Sequence, residues 1–211
     1  MKISILFVLL TLSVFCVDFD EAVKDYEKGS YIQALNIFYV LAKEGDPEAQ
    51  YNVGIIYANG KGVKADIPEA MEWYEKSATQ GNGAAAYNLA QQYHTQENNN
   101  SHALSMAVKW YEVATKKEIP QAYNNLAAMY LRGVGVKKNQ KKAFVLFAKA
   151  AKLGDPYAQI NIAKLYAWGA TIIRDKKKAY ALFLKAREAG KFEAQEYIDK
   201  LCEEKPEFCK K

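Results

Sequence analysis

Apolar and small residues recur along this chain at helical spacing, in blocks that return about every 36 residues. Ala49, Val53, Ile56 and Tyr57 fall on one face of a predicted helix, as do Ala122, Leu126, Met129 and Tyr130. The blocks read AQYNVGIIY from Ala49, AAYNLAQQY from Ala85, AYNNLAAMY from Ala122 and AQINIAKLY from Ala158. Their first residues lie 36, 37 and 36 positions apart, and Ala194-Gln195 opens a fifth block after another 36. Self-similarity at this period predicts an all-α solenoid of antiparallel helix pairs, in which no single repeat can bury its apolar face alone.

Each unit reads as a first helix, a linker and a second helix. A small residue follows the apolar fifth position of each first helix: Gly54, Ala90, Ala127 and Ala163. Small side chains there let the second helix approach closely. Gly60-Lys61-Gly62-Val63 and Gly133-Val134-Gly135-Val136 occupy equivalent linker positions, and Gly169 keeps only the first glycine. Asp66, Asn139 and Asp175 each lie nine residues after the repeat tyrosine and suit N-caps, Asp66 forming a capping box with Glu69. Ala70-Trp73-Tyr74, Ala107-Trp110-Tyr111, Ala143-Phe147 and Ala179-Phe183 mark the second helices, with Trp73 and Trp110 in the core. Gly81, Gly154 and Gly190 close three of them, and Glu118-Ile119-Pro120 replaces that glycine in the fourth. The linker Gln96–Ser101 has no glycine, is one residue longer and is expected to be an exposed, mobile loop. Residues 17–45 hold a shorter pair built on Gly29, Tyr31, Ala34 and Phe38.

The pattern A-x-x-N-L-G/A-x-x-Y, then G-x-G-V, then D-x-x-x-A-x-x-W/F-Y/A resembles the Sel-one-like repeat family, a branch of the tetratricopeptide superfamily. Residues 46–190 carry it in four copies, whereas the pair around Gly29-Ser30-Tyr31 and Ala34 looks more like an ordinary tetratricopeptide hairpin. The resemblance implies a right-handed superhelix that acts as an adaptor for other proteins. It also implies a concave groove lined by the third, fourth and seventh positions of the first helices. Those are Tyr51, Asn52 and Ile55; Tyr87, Asn88 and Gln91; Asn124, Asn125 and Ala128; Ile160, Asn161 and Lys164. An exported, cysteine-rich subgroup of the family includes members described as penicillin-binding or weak β-lactamases. This chain departs from that subgroup in lacking its interior cysteines; the alternative function the resemblance implies is a cell-wall-related enzyme, or a peptidoglycan- or β-lactam-binding module.

Asparagine at the fourth position of every full repeat requires a reason, because it disfavours helix. Two readings stand. Asn52, Asn88, Asn125 and Asn161 form an amide ladder for the backbone of an extended peptide, or they join neighbouring repeats.

Half of the 211 residues are apolar and a quarter are charged, a composition that excludes disorder. Lys2 and the apolar run Ile3–Val17 read as a signal peptide over residues 1–16, too short for a membrane span. Cleavage after Cys16, its lipidation and its retention all remain open. Beyond it stand Cys202 and Cys209, an even count that favours a disulfide in an exported chain. That bridge closes a small loop in residues 191–211, the C-terminal capping segment, and stabilises by about 2.5 kcal/mol in the chain-entropy model. The expected location is therefore the periplasm or the exterior.

The net charge of +5 divides unevenly, with −5 over residues 1–119 and +10 over residues 120–211. Lys137, Lys138, Lys141 and Lys142 precede or open one second helix and Lys176, Lys177 and Lys178 open the next. One period apart, they are expected to stack into a basic ridge, either a solvated face or a contact for an anionic surface or wall polymer. Trp168 either fills the last regular linker or stands as an exposed contact. Export argues against nucleic acid as a partner. No nucleophile elbow, no serine with lysine three residues on and no metal-ligand spacing around His94 or His102 is found, so neither enzyme activity nor a cofactor is expected. The leading expectation is an exported scaffold that binds an envelope or secreted protein, or a peptide, in its groove.

Overall fold

The computed structural model describes residues 18–95, 100–169 and 174–208. Among them the chain forms eleven α-helices, one short 3-10 turn and no strand. The helices are α1 (Phe19–Glu27), α2 (Tyr31–Lys43), α3 (Pro47–Asn59), α4 (Ile67–Thr79), α5 (Gly83–Thr95) and α6 (Ser101–Lys116). They continue with α7 (Pro120–Arg132), α8 (Gln140–Lys152), α9 (Pro156–Trp168), α10 (Lys176–Glu188) and α11 (Ala194–Glu204). Each helix packs principally on the one before and the one after it, which makes the stack a solenoid of helix pairs. No described helix is long and apolar enough to cross a membrane. The N-terminal segment read as a signal peptide lies outside the described residues.

The caps follow from the sequence, with one correction. Asp66, Asn139 and Asp175 accept from the amides of Glu69, Lys142 and Lys178, fixing the starts of α4, α8 and α10. The Asp66 capping box is only half made. The Asp66 amide already donates to the Tyr57 carbonyl at 2.9 Å, so Glu69 is released to accept the Trp73 indole N–H at 2.8 Å. Equivalent bonds from Asn139 to Tyr130 and from Asp175 to Tyr166 tie the other long linkers to their repeat tyrosines.

A second correction concerns Gln96–Ser101. Asn100 caps α6 through the His102 amide and Ser101 is helical, which makes α6 a 16-residue helix where its counterparts have 13. Residues 96–99 lie outside the described residues. At the end of α6, Glu118 takes φ +57°, the left-handed conformation that Gly81, Gly154 and Gly190 take after the other second helices. The turn geometry is thus kept where the glycine is lost.

The second glycine of the G-x-G linker has a specific use. A Cβ on Gly135 would lie 2.5 Å from the carbonyl oxygen of Leu104 on α6, and one on Gly62 would lie 2.9 Å from the Tyr31 Cβ on α2. Each linker therefore seats its bare backbone on the second helix of the preceding unit. Gly169 instead ends α9 in an extended conformation, φ −62° and ψ 145°.

The core divides into three clusters. One gathers α1, α2, α3 and Trp73 around Phe38, Val53 and Ile56. A large middle cluster runs from Ala70 and Tyr74 to Ala158 and Ile162. A third joins Ile160, Phe183, Ile198 and Leu201. Trp73 and Tyr74, adjacent on α4, serve different clusters.

Candidate partner-binding face

The third, fourth and seventh positions of α3, α5, α7 and α9 do not behave alike. Tyr51, Asn52 and Ile55 are half-buried, as are Tyr87, Asn88 and Gln91, and Asn124, Asn125 and Ala128. Asn161 and Lys164 are half-buried too, but Ile160 is 4 % exposed inside the third core cluster. Ile160 is therefore a core residue and not a groove position.

The third and fourth positions build the junctions between repeats. The Tyr51 ring lies 6.0 Å from that of Tyr74 on the paired second helix, and the Tyr87 ring lies 6.0 Å from that of Tyr111. The asparagine of the following repeat then reaches back to the phenols. Asn88 Nδ2 donates to the Tyr51 hydroxyl at 3.5 Å, and Asn125 Nδ2 donates to the Tyr111 hydroxyl at 3.1 Å. Burial pushes the Tyr74 and Tyr111 phenols up to about 12, partly offset by Asn88 and Asn125 respectively. Tyr51 and Tyr87 are also raised, again mainly by burial. All four are neutral at physiological pH and available as donors and acceptors.

At the next junction the second helix carries Phe147, which has no hydroxyl, and the third position changes with it. Asn124 replaces tyrosine and its Oδ1 accepts from Asn161 Nδ2 at 2.9 Å. At the last junction the second helix carries Phe183, the third position is Ile160 and the fourth position of α11 is Tyr197. This junction is apolar, with the Phe183 and Tyr197 rings stacked at 5.4 Å. Three of the four ladder asparagines thus join repeats, and Asn52, whose amide donates only to the Glu48 carbonyl of its own helix, is the exception. The signal was present in the sequence as a coupled change at positions 51/74/88, 87/111/125, 124/147/161 and 160/183/197.

The basic ridge is partly committed to the fold. Lys142 lies over the Tyr130 ring at 4.1 Å, donates to its hydroxyl at 2.5 Å and pairs with Glu112 at 3.3 Å. Lys178, one repeat on, lies over Tyr166 at 4.7 Å. Both ammonium groups are raised, the tyrosine hydroxyl being the leading cause in each. Lys176 pairs with Glu204 at 2.6 Å. Lys137, Lys138, Lys141 and Lys177 stand exposed. The lysines therefore divide into three that brace helices and four that face solvent.

Trp168 packs against Phe183 and Tyr197 and donates its indole N–H to Glu204 at 3.0 Å, the packing alternative for this residue. Lys176 and then Trp168 hold the Glu204 carboxyl below the usual range. Cys202 is half-buried beside the third cluster, and Cys209 lies outside the described residues. The described residues contain no group of histidine, cysteine and carboxylate side chains able to hold a metal ion.

Sequence reasoning missed two buried amides. Gln50 donates to the Ala42 carbonyl at 3.1 Å and accepts from Gln80 at 2.8 Å, whereas Gln159, 2 % exposed, keeps an unpaired Oε1. Each follows the first alanine of its repeat, and this Ala-Gln pair was the available clue.

With this geometry in place, comparison with known proteins gives a consistent result. The Sel1 repeat model matches residues 47–82, 83–118, 120–155 and 156–191. A Sel1 repeat protein from Oxalobacter formigenes has a similar crystal structure, with a TM-score of 0.79 at 28% identity, covering 88% of this chain and 75% of that one. A component of an ERAD-associated E3 ubiquitin-protein ligase, HRD3B of Arabidopsis thaliana, is 33% identical over 117 residues, which is 55% of this chain and 18% of that protein. An uncharacterised protein of Neisseria meningitidis is 32% identical over 102 residues, 48% of this chain and 21% of its own length. The chain thus spans about a fifth of the length of these two curated relatives. Sel1 repeats generally serve as scaffolds for protein–protein interaction and are typically not enzymes. The repeat spacing, the linker glycines and the matched segments together place this chain in the Sel1 repeat family.

Proposed function

We propose that this chain is an exported scaffold of the bacterial cell envelope that holds a protein or peptide segment along the first-helix face of its repeats. The observation that supports this most is the strip of seventh-position side chains. Ile55, Gln91, Ala128 and Lys164 lie one repeat apart, and none is buried. The third and fourth positions are engaged in junctions, so the half-exposed flanks of these residues and Asn52 are left to meet a partner, although Ile55 and Ala128 also pack on the middle cluster and Lys164 lies 4.0 Å over the Tyr197 ring. Their chemistry is mixed, apolar at Ile55 and Ala128, amide at Gln91 and cationic at Lys164, which suits an extended polypeptide better than a uniform polymer. Export rests on Lys2 and the apolar run Ile3–Val17. A Cys202–Cys209 bridge fits that compartment.

The test is photocrosslinking in the native host, with the probe at Gln91 and a control at Ser105, exposed on the second helix α6. The expected result is a discrete protein adduct at Gln91 that is absent at Ser105. Equal labelling at both positions, or capture of wall fragments at Gln91 in place of protein, overturns the proposal.

A further inference from the structure

The surplus of positive charge is confined to two repeats. Residues 120–180 carry 12 lysines and arginines against two acids, Asp155 and Asp175, whereas residues 181–211 carry seven of each sign. Asp155 is buried, and Asp175 gives one oxygen to the Lys178 amide as the cap of α10.

Within this region α8 has a distinctive outer face. Its exposed residues are Lys141, Lys142, Val145, Lys149 and Lys152, and the exposed Leu153 closes it. At 3.6 residues per turn these six fall within about a third of the helix circumference. Cations and apolar side chains therefore share one stripe, with no acid in it. Val145 is 61 % exposed, more than any other large apolar side chain on a described helix.

The same positions on α4 show a solvated face in this chain. Counted from the caps Asp66 and Asn139, Val145 corresponds to Glu72, Lys152 to Thr79 and Leu153 to Gln80. Thus α4 exposes acid, hydroxyl and amide where α8 exposes apolar carbon and lysine. Solubility is served by the first set. The second is the composition of a helix at a lipid–water interface, with cations among the headgroups and apolar groups beneath them.

One repeat on, α10 extends the array, since Lys177, Lys178 and Lys185 are exposed and stand 36 positions after Lys141, Lys142 and Lys149. The cations thus spread about 12 Å along α8, from Lys141 to Lys149, and also across a repeat. A layer of phosphates matches such a two-dimensional array better than the single line of charges on a polymer. The acids stand at its borders: Glu112 pairs with Lys142 at 3.3 Å, Glu118 interacts with Lys149, and Glu188 ends α10. Lys141 and Lys152 make no ion pair among the described residues.

We propose that the α8 face, extended by α10, seats this chain on an anionic phospholipid surface, its lysines at the headgroup phosphates and Val145 entering between them. The attachment is peripheral, as no described helix is long and apolar enough to cross a membrane. It uses second helices and not the first-helix strip, so it is independent of the scaffold reading above.

Cosedimentation of the purified full chain with vesicles tests this, comparing phosphatidylglycerol–phosphatidylethanolamine with phosphatidylcholine alone. The readout is the preference for anionic over neutral vesicles, because the apolar run Ile3–Val17 is common to every variant. Wild type should prefer anionic vesicles at about 100 mM salt and lose most of that preference at about 500 mM. Lys141→Gln with Lys152→Gln should weaken anionic binding about thirtyfold, whereas Lys28→Gln with Lys64→Gln, the same charge change on the other half, should leave it unchanged. Val145→Asn, which keeps every charge, should weaken it about threefold. Circular dichroism checks folding, and Val145→Ser replaces Val145→Asn should that variant unfold. No preference for anionic vesicles overturns the proposal, and retention on inorganic polyphosphate without vesicle binding overturns it in favour of a soluble polyanion. Equal losses in the two lysine pairs, or Val145→Asn binding like wild type, also overturn it.

Discussion

Asn161 donates its amide to Asn124 at 2.9 Å across 37 positions of sequence, one amide from each of two neighbouring repeats. The junction before it uses tyrosine and asparagine, and the junction after it uses Ile160 and Tyr197 with no amide pair. Polar and apolar solutions to the same contact therefore coexist in one chain. Asn161→Ala should cost about 1 kcal/mol, since it strips a partner from a half-buried amide. Asn124→Ile combined with Asn161→Tyr, which copies the last junction, should regain most of that loss. Urea denaturation of wild type, Asn124→Ile, Asn161→Tyr and the double variant measures the coupling, with Asn161→Ala alongside.

Glu118 occupies a left-handed turn position where the other second helices are followed by glycine. A side chain there costs about 1–2 kcal/mol against the right-handed alternative, of which the extra freedom of unfolded glycine returns part. Glu118→Gly should therefore stabilise the protein by about 1 kcal/mol, read as a higher denaturation midpoint at unchanged slope.

Gly135 and Gly154 separate two reasons for glycine. Both have positive φ, but a Cβ on Gly135 would meet the Leu104 carbonyl oxygen at 2.5 Å, whereas one on Gly154 would meet nothing within 4 Å. Gly154→Ala should show the conformational cost alone, about 1 kcal/mol. Gly135→Ala adds displacement of the linker from α6 and should cost about 2–3 kcal/mol. Thermal unfolding of the pair checks the order.

Asp155 caps α9 from a buried position, accepting from Ala158 at 2.6 Å, and burial raises its carboxyl pKa despite the backbone amides and Lys191. A raised folded pKa means that the folded state binds the proton more tightly than the unfolded state. Stability from this group is present below the unfolded pKa and is lost as pH rises through the folded pKa. Asn82 fills the same cap position two repeats earlier, accepting from Ala85 without a charge. Asp155→Asn should therefore raise the melting temperature at neutral pH, and the difference should vanish near pH 3, where the unfolded aspartate is protonated.

The helix pairs, their caps and the family were legible because they rest on local chemistry: period, N-cap oxygens and linker glycines. The fates of individual side chains were less so. Lys142 and Lys178 read as a charged ridge, but a lysine four residues after Lys138 or at the third helical position can lie over the repeat tyrosine, and spacing alone does not decide between ring and solvent. Ile160 was assigned to the groove by its position in the repeat, while the Tyr197 that makes that junction apolar belongs to the atypical last helix. Glu69 fitted a capping box by sequence, yet the Tyr57 carbonyl had already taken the Asp66 amide. In each case a long-range neighbour won over the local rule.

The three-way division of the core has a mechanical consequence. Phe38, Val53 and Ile56 share a cluster with Trp73, whereas the neighbouring Tyr74 belongs to the next, so the boundary falls within α4, with Tyr51, Ile55 and Tyr57 of α3 also packing on the middle. The α10–α11 end is joined through α9, which offers Ile162 to the middle and Ile160 to the terminus, and through Leu182 of α10, which packs on both clusters. Cooperativity should weaken at α4 and α9, and hydrogen exchange should reveal three protection levels. Under pulling force, such a chain would extend in steps and not in a single rupture.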